Sequence, residues 1–445
     1  MNILPQIFFA ISLATAGFLF YKKAKSIRRN ILLGKDINRK DFPNERLNLM
    51  LKVALGQSKM MVRIIPGLLH FAVYAGFLLI NLEVIEIVLD GLLGTHRISA
   101  PLLGGIYDAL IAIFEVFMAL VTIACIIFLI RRQGPVLRLK MDELRGFPQI
   151  DASVILITEI ILMTALLFMN ASDQILQARG TEHYIKAGIF PVSSFLVPFL
   201  QSFSNETLIV IERTSWWFHI LGIFAFLNYL PYSKHLHIIL AFPNVYFSKL
   251  EPKGKLDNNE AITKEVKLMM DPEAAFVTPV EENAVPQKFG AKDVFDLTWK
   301  QLLDAYTCTE CGRCTSVCPA NLTGKKLSPR KIMMSTRDRL EHVGKILDKN
   351  NDQWIDDGKT LLRDYISEEE LWACTTCNAC AEACPVNIDP VSIIIDLRRY
   401  LVMEESKAAE SINVMFNNIQ NNGAPWAFSP SDRANWTKNL EISVS

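Results

Sequence analysis

Eight of the nine cysteines stand in two runs, "CTECGRCTSVCP" from residue 308 and "CTTCNACAEACP" from residue 374. In each run three thiols recur at every third position, the fourth follows four residues on, and a proline comes next. Thiolates are soft ligands that suit zinc or iron–sulfur cores. A structural zinc site usually pairs two C-x-x-C units, whereas here each run is a quartet that closes on Cys-Pro. A disulfide scaffold would be short, secreted and more evenly studded. Two tight quartets therefore point to metal clusters in a reducing compartment. The ninth cysteine, Cys125, lies in an apolar run.

The C-x-x-C-x-x-C-x-x-x-C-P spacing is that of bacterial two-cluster ferredoxins, in which the fourth cysteine ligates the other cluster. Cys308, Cys311, Cys314 and Cys384 are thus expected to hold one [4Fe–4S] cluster, and Cys374, Cys377, Cys380 and Cys318 the second. The prolines turn the chain away from each cluster, and the small residues Gly312 and Ala379 leave room beside it.

Histidine is the second source of chemistry. His96 and His183 fall in loops and His342 in a charged helix, where solvated surface is expected. His70, His219, His235 and His237 lie in or beside apolar runs, and ionisable groups at membrane depth mark function. On a continuous helix, His219 and His237 share one face about five turns, roughly 27 Å, apart, while His235 points to the other side. Pro231 between them loosens that geometry. His70 and His237 match in depth, near the cytoplasmic ends of their helices. Two facing neutral imidazoles are what a six-coordinate b-type haem requires. His219 has no evident partner, so it reads either as the ligand of a second haem or as a structural group bonded to Glu83 or a backbone carbonyl.

Five apolar runs could position these groups, each near the length of about 20 residues that crosses a bilayer. They cover roughly 3–21, 64–89, 103–130, 152–170 and 214–240. The first is followed by the basic stretch "YKKAKSIRRN", the reverse of a signal peptide's charge order, so it reads as a retained helix. Basic residues follow the first run, from Lys22 to Lys40, and the third, from Arg131 to Arg145. By the positive-inside rule the N-terminus faces out and everything from about 241 onward faces the cytoplasm. The outer stretch "AGIFPVSSFLVPFL" is expected at the interface or packed on the bundle. Hydrophobic residues make up 51% and the formal charge is zero, which leaves no basic excess for nucleic acid.

Residues 251–292 are rich in Pro, Glu, Lys and Asn and read as an extended tether. Helical patterning resumes from 293. Ser328 caps a helix that opens on Pro329, "SEEELWAC" places acids in a first turn, and "DPVSIIIDLRRYLVMEESKAAESINVMFNNI" reads as one long helix. The expected fold is all-α: a transmembrane cytochrome b-like unit (1–250), the linker (251–292), a two-cluster helical domain (293–400), and a C-terminal helix and docking tail (401–445). Neither a P-loop nor a dinucleotide-binding glycine pattern occurs.

Two resemblances sharpen this. With its five-span layout, His70, the 219/237 spacing and "LPYSKHLHIILAFPNVYF", the first half resembles the gamma-subunit cytochrome b of respiratory nitrate reductase and related subunits of heterodisulfide reductase-type complexes. Two-haem members of that group carry a further histidine where this chain has Ile80, which bears on the His219 haem. The second half resembles the alpha-helical ferredoxin of heterodisulfide reductase small subunits and fumarate-reductase-type iron–sulfur subunits. The resemblances imply an oxidoreductase subunit of the bacterial inner membrane, with its substrate site on a partner chain. Electrons would pass between that partner, a cytoplasmic subunit bearing CCG repeats or a flavin, and membrane quinone. Glu83, Glu86, Glu115 and His219 are candidates for the quinone site, and Trp426, Phe428 and Trp436 for partner docking. A redox sensor or assembly protein, and a haem-free membrane anchor, are the alternative readings.

Overall fold

In the computed structural model, residues 3–134, 141–271 and 288–439 are described. Among them there is no strand, only the isolated bridges Lys35–Thr298 and Leu362–Ile366. The longer helices are α1 (Leu4–Ile31), α2 (Pro43–Met50), α3 (Ile64–Leu93), α4 (Gly105–Gln133), α5 (Phe147–Ala178), α6 (Asn205–Tyr229), α7 (His237–Tyr246), α8 (Glu260–Met270), α9 (Trp299–Thr307), α10 (Pro329–Lys349), α11 (Pro390–Met403) and α12 (Glu410–Asn422).

Five helices are long and apolar enough to cross a membrane: α1, α3, α4, α5, and α6 continued to Tyr232. Their ends follow local chemistry. Arg28 and Arg29 in the last turn of α1 face the negative end of its dipole. Gly94, with φ +73°, closes α3 by returning its N–H to the Asp90 carbonyl at 2.8 Å. Ser204 caps α6 through the Thr207 N–H. Each helix packs on the next, α3 on α4, α4 on α5 and α5 on α6, and α1 closes the ring against α6 and α3. Phe9, Met118, Leu166 and Ile220 fill the interior. The stretch 187–200 packs on the bundle, with Phe190, Ser193 and Leu200 buried.

The chain after Tyr229 departs from the expected single helix. Pro231 cannot continue the hydrogen-bond ladder, and Ser233 is extended (φ −113°, ψ 154°). Two short 3-10 turns, Leu230–Tyr232 and Lys234–Leu236, lead into α7, which starts at His237. His219 and His237 therefore do not share one helix. The long helix expected after the second cysteine run is likewise two, α11 and α12, parted at 404–409. The expected tether contains α8, and its 272–287 portion lies outside the described residues.

The cysteine-bearing domain is built on α10, which packs against α9, α11 and α1. Ser328 caps α10 with Pro329 in its first turn, and Ser367 and Glu370 form a reciprocal capping box at Glu368–Ala373. The domain docks where α1 ends. Lys23 meets Glu341 at 3.2 Å, and Arg29 meets Asp348 at 2.7 Å. The loop after α1 is tied by Lys35 N–H to the Leu297 carbonyl at 2.7 Å and Trp299 N–H to the Lys35 carbonyl at 3.0 Å. A Cβ on Gly34 would fall 2.6 Å from the Trp299 backbone nitrogen, so only glycine allows this approach.

Candidate metal centres

The two cysteine loops repeat one backbone device. The residues two and four places after the first cysteine are left-handed in both: Glu310 (φ 58°) and Gly312 (φ 72°), Thr376 (φ 55°) and Asn378 (φ 57°). Gly and Asn accept that conformation most readily, so position four was legible in the sequence. Glu310 and Thr376 were not. Glu310 is buried and held by Lys234 and by Arg337, the latter at 2.5 Å, and these fix its loop.

The loops bring the thiols into two groups across the motifs. Burial raises the Cys314 thiol far above its usual range, and the neighbouring Cys311, Cys308 and Cys384, with Cys380 beyond them, add to it. Burial lifts Cys384 to about 11, with Cys311 as its cysteine neighbour. Burial lifts Cys380 to about 12, with Cys374 and Cys318 beside it. Cys374 is raised by burial and by Cys318 and Cys377. Cys384 thus neighbours Cys311 and Cys314 of the first run, and Cys318 neighbours Cys374 and Cys380 of the second.

Thiols held this far from their ionised form need positive charge to become ligands, and bound iron supplies it. Backbone N–H groups already point at two sulfurs, Thr376 to Cys374 Sγ at 3.4 Å and Ile388 to Cys384 Sγ at 3.3 Å. Among the described residues no three His, Cys, Asp or Glu side chains are arranged around a single ion. A multi-atom cluster has ligands that stand further apart than those of a single ion. Cys377 is exposed, whereas Cys308, Cys318 and Cys380 are buried and the other four cysteines of the two runs are half-buried, so the second group has one ligand open to solvent.

The first loop grips the membrane helices through residues three apart. Lys234, just before α7, reaches Glu310. Arg313 donates to the Lys59 and Met60 carbonyls at 3.0 and 3.2 Å, and Ser316 Oγ accepts from Arg63 at 2.6 Å. Lys59 Nζ in turn donates to the Cys384 carbonyl at 3.2 Å, the Glu382 carbonyl at 3.0 Å and Asn387 Oδ1 at 3.0 Å. Residues 59–63 lead directly into α3 and His70.

His70 and His237 meet there, ring centroids 6.4 Å apart. Metal–imidazole bonds of about 2.0–2.1 Å would set two rings on one ion about 6 Å apart. His237 Nδ1 lies 3.1 Å from the Lys234 carbonyl, which orients the ring and leaves Nε2 for another partner. His70 Nδ1 is buried without a partner. These two residues fit a bis-imidazole haem site. His235, expected to point away, stands 5.5 Å from His237, because the broken helix turns both rings to one side.

His219 is fully buried, with Nδ1 2.9 Å from the Leu162 carbonyl and Nε2 unpartnered. The histidine ring pairs among the described residues are 70–237, 235–237 and 96–183, so no imidazole stands opposite it.

At the far end of the bundle the expectations divide. Glu115 accepts from Asn170, from the Val192 and Ser193 N–H groups and from Ser193 Oγ, and so pins the loop between α5 and α6. Its oxygens are taken, which removes it as a quinone candidate. Glu83 and Glu86 line a pocket shared with Asp173, Glu212 and Arg213, and Glu83 Oε2 is buried without a partner. His96, expected on the solvated surface, is buried 3.3 Å from Asp173. His183 is exposed beside it, and His342 is half-exposed on Tyr365 Oη. Trp426, Phe428 and Trp436 are all more than half exposed, and α12 buries no residue.

Residues 307–388 match the family described as a 4Fe-4S dicluster domain. The chain is 31% identical, over 96% of its length, to the "Probable iron-sulfur-binding oxidoreductase FadF" of Bacillus subtilis, covering 60% of that protein. It is 26% identical over 94% of its length to the "EtfAB:quinone oxidoreductase" of Syntrophomonas wolfei, covering 57% of it. A "Probable membrane-anchored ferredoxin" of Chromohalobacter salexigens is 33% identical over 35% of the chain and 25% of that protein. The chain thus spans less than two thirds of the length of these relatives. No solved structure matches it. With five apolar helices and a 4Fe-4S dicluster domain, the chain is a membrane-type protein similar to iron–sulfur oxidoreductases that transfer electrons.

Proposed function

We propose that this chain is the membrane subunit of an oxidoreductase complex, passing electrons from a cytoplasmic redox partner to membrane quinone. Cys308, Cys311, Cys314 and Cys384 hold one [4Fe–4S] cluster, Cys374, Cys377, Cys380 and Cys318 the other, and His70 and His237 a b-type haem. When bound, these groups carry single electrons, and two transfers with two protons convert quinone to quinol. The carrying observation is the junction at which Arg313 of the first cysteine loop and the Cys384 carbonyl of the second run both bond Lys59, ahead of the helix of His70, whose ring lies 6.4 Å from that of His237.

The protein's own part is placement. Lys234 and Arg337 fix Glu310 and so the first loop. The Lys234 carbonyl orients His237. Cys377 is exposed, which supports docking of the partner beside the second cluster. The basic residues around the end of α1, and Arg131 and Arg132 at the end of α4, lie at the end of the bundle where the cysteine domain sits, which supports a cytoplasmic location by the positive-inside rule. Both curated relatives that cover most of the chain are oxidoreductases by name, one of them quinone-linked. The exposed aromatic tail suits a docking segment for a cysteine-rich or flavin-bearing partner.

Reduced-minus-oxidised spectra and a pyridine haemochrome assay of the purified protein test the reading. A b-type signal that disappears in His237→Ala is the expected result. A preparation replete in iron and sulfide that gives no b-type signal would leave a haem-free anchor and end the quinone wire. His219 as ligand of a second haem predicts a further b-type signal lost only in His219→Ala.

A further inference from the structure

Three cations converge where the first cysteine group meets α3, and each rests on neutral acceptors. Lys59 holds two backbone carbonyls and the Asn387 amide oxygen. Arg63 holds Ser316 Oγ. Arg313, 6% exposed, holds two backbone carbonyls. No ion pair among the described residues involves any of them; Glu382, the nearest acid, is taken by Lys253 at 2.5 Å. Arg313 sits close to Cys311, Cys384 and Arg63. The other ionised groups there do not cancel this charge. Glu310 is shared by two cations, Lys234 and Arg337, and Asp304 is paired with Lys300 at 2.7 Å.

The second cysteine group is different. Among the described residues, one unpaired cation faces it, Arg398, which donates to the Leu371 and Cys374 carbonyls and lies over the Trp372 ring. Asp389 lies beside Cys380 and works against it.

We propose that Lys59, Arg63 and Arg313 raise the reduction potential of the membrane-side cluster above that of its neighbour, making it the electron sink of the pair. The inference rests on the ligand sets of the preceding section. Reduction adds one electron to a [4Fe–4S] core and breaks no bond, so nearby fixed positive charge stabilises the reduced form. Water at the exposed Cys377 favours reduction of the second cluster in the same way. Three charges held against half-buried ligands, where solvent screens less than at the exposed Cys377, outweigh it. An electron delivered by the cytoplasmic donor to the solvent-side cluster then runs downhill towards His70 and His237.

The test is an anaerobic dithionite titration of the full chain in detergent, followed by electron paramagnetic resonance. Two midpoints are expected. Lys59→Gln lowers the higher one by about a tenfold change in its equilibrium constant, about 59 mV for one electron, and leaves the lower one in place. Lys59→Arg restores the wild-type value. Arg63→Gln, which removes a side-chain bond to Ser316, moves the same midpoint in the same direction and covers the case in which Lys59→Gln loosens the junction. Unchanged midpoints in both Gln variants, or a shift of the lower midpoint instead, would overturn the proposal. A wild-type protein without two cubane signals would fail at the earlier step, the ligand sets themselves.

Discussion

The two ends of the helix bundle, the inner one beside the cysteine domain and the outer one away from it, use ionisable side chains in opposite ways. At the outer end carboxylates are in excess, and most are spent on closing loops. Asp90 accepts from Thr95 Oγ1 and from the Arg97 and Ile98 N–H groups. Glu86 accepts from the Ser99 N–H and from Tyr107 Oη. Arg97 bonds Asp173 at 2.7 Å, Asn170 at 3.0 Å and Tyr107 at 3.1 Å. At the inner end cations are in excess, and Lys59, Arg63 and Arg313 bind carbonyls, a hydroxyl and an amide. A paired charge stabilises a geometry, whereas one resting on neutral dipoles keeps its field. The outer end is therefore built for structure, and the inner end biases whatever titrates or is reduced beside it.

The sharpest way to break this contrast is to remove a ligand from each cysteine group. Cys384→Ser is expected to abolish the cluster of the first run, and Cys318→Ser that of the second, each halving iron and sulfide. Metal analysis with electron paramagnetic resonance reads which signal survives. Loss of the second run's signal in Cys384→Ser would show that each motif serves its own cluster and that the crossed arrangement is wrong. The next effect is at the imidazoles. His237→Ala is expected to remove the inner b-type signal entirely while leaving both cluster signals, because the Lys234–Glu310 contact to the first loop does not pass through the ring.

How much of this was readable beforehand depends on the range of the interaction. The cysteine spacing carries its own chemistry within a dozen residues, so the cluster type followed from the sequence. The apolar spans did too, because each helix must satisfy its own backbone hydrogen bonds in lipid. The pairing of His70 with His237 came from the alternation of basic loops, which fixed both depths. It did not reveal His235 as a third ring in the group, because that depends on how Pro231 and Ser233 break the helix. Lys59 and Arg313 were missed for a similar reason. A lysine before a span reads as a loop charge, and its contact with Cys384 spans most of the chain. His96 was misplaced because its loop looks polar, while Asp173, on a different helix, draws it inside.

At the outer end the largest structural effect is expected at Arg97. Arg97→Gln leaves Asp173 buried without its guanidinium partner, a loss of about 3–5 kcal/mol for a broken buried pair. The measurement is thermal unfolding in detergent followed by helical circular dichroism, with the cluster and haem spectra as control. Unfolding at a markedly lower temperature with unchanged spectra below it is expected. A change in the spectra at low temperature would mean that the outer charges also reach the redox groups, and the division between the ends would fail.

The smallest effect falls on a cation of the inner end that does have partners. Arg29 lies in the seam between α1 and α10, paired with Asp348 at 2.7 Å and Asp352 at 2.5 Å. Both acids are at least half exposed, so solvent screens the pairs and Arg29→Gln should cost no more than about 1 kcal/mol. The substitution removes one positive charge from the same side of the molecule as Lys59→Gln does. If pairing decides which charges act at a distance, both cluster midpoints stay in place in Arg29→Gln, and added salt erases the small stability difference. If Arg29→Gln moves a midpoint as far as Lys59→Gln does, the clusters respond to the net charge of the inner face. The absence of a carboxylate at Lys59, Arg63 and Arg313 would then carry no special weight.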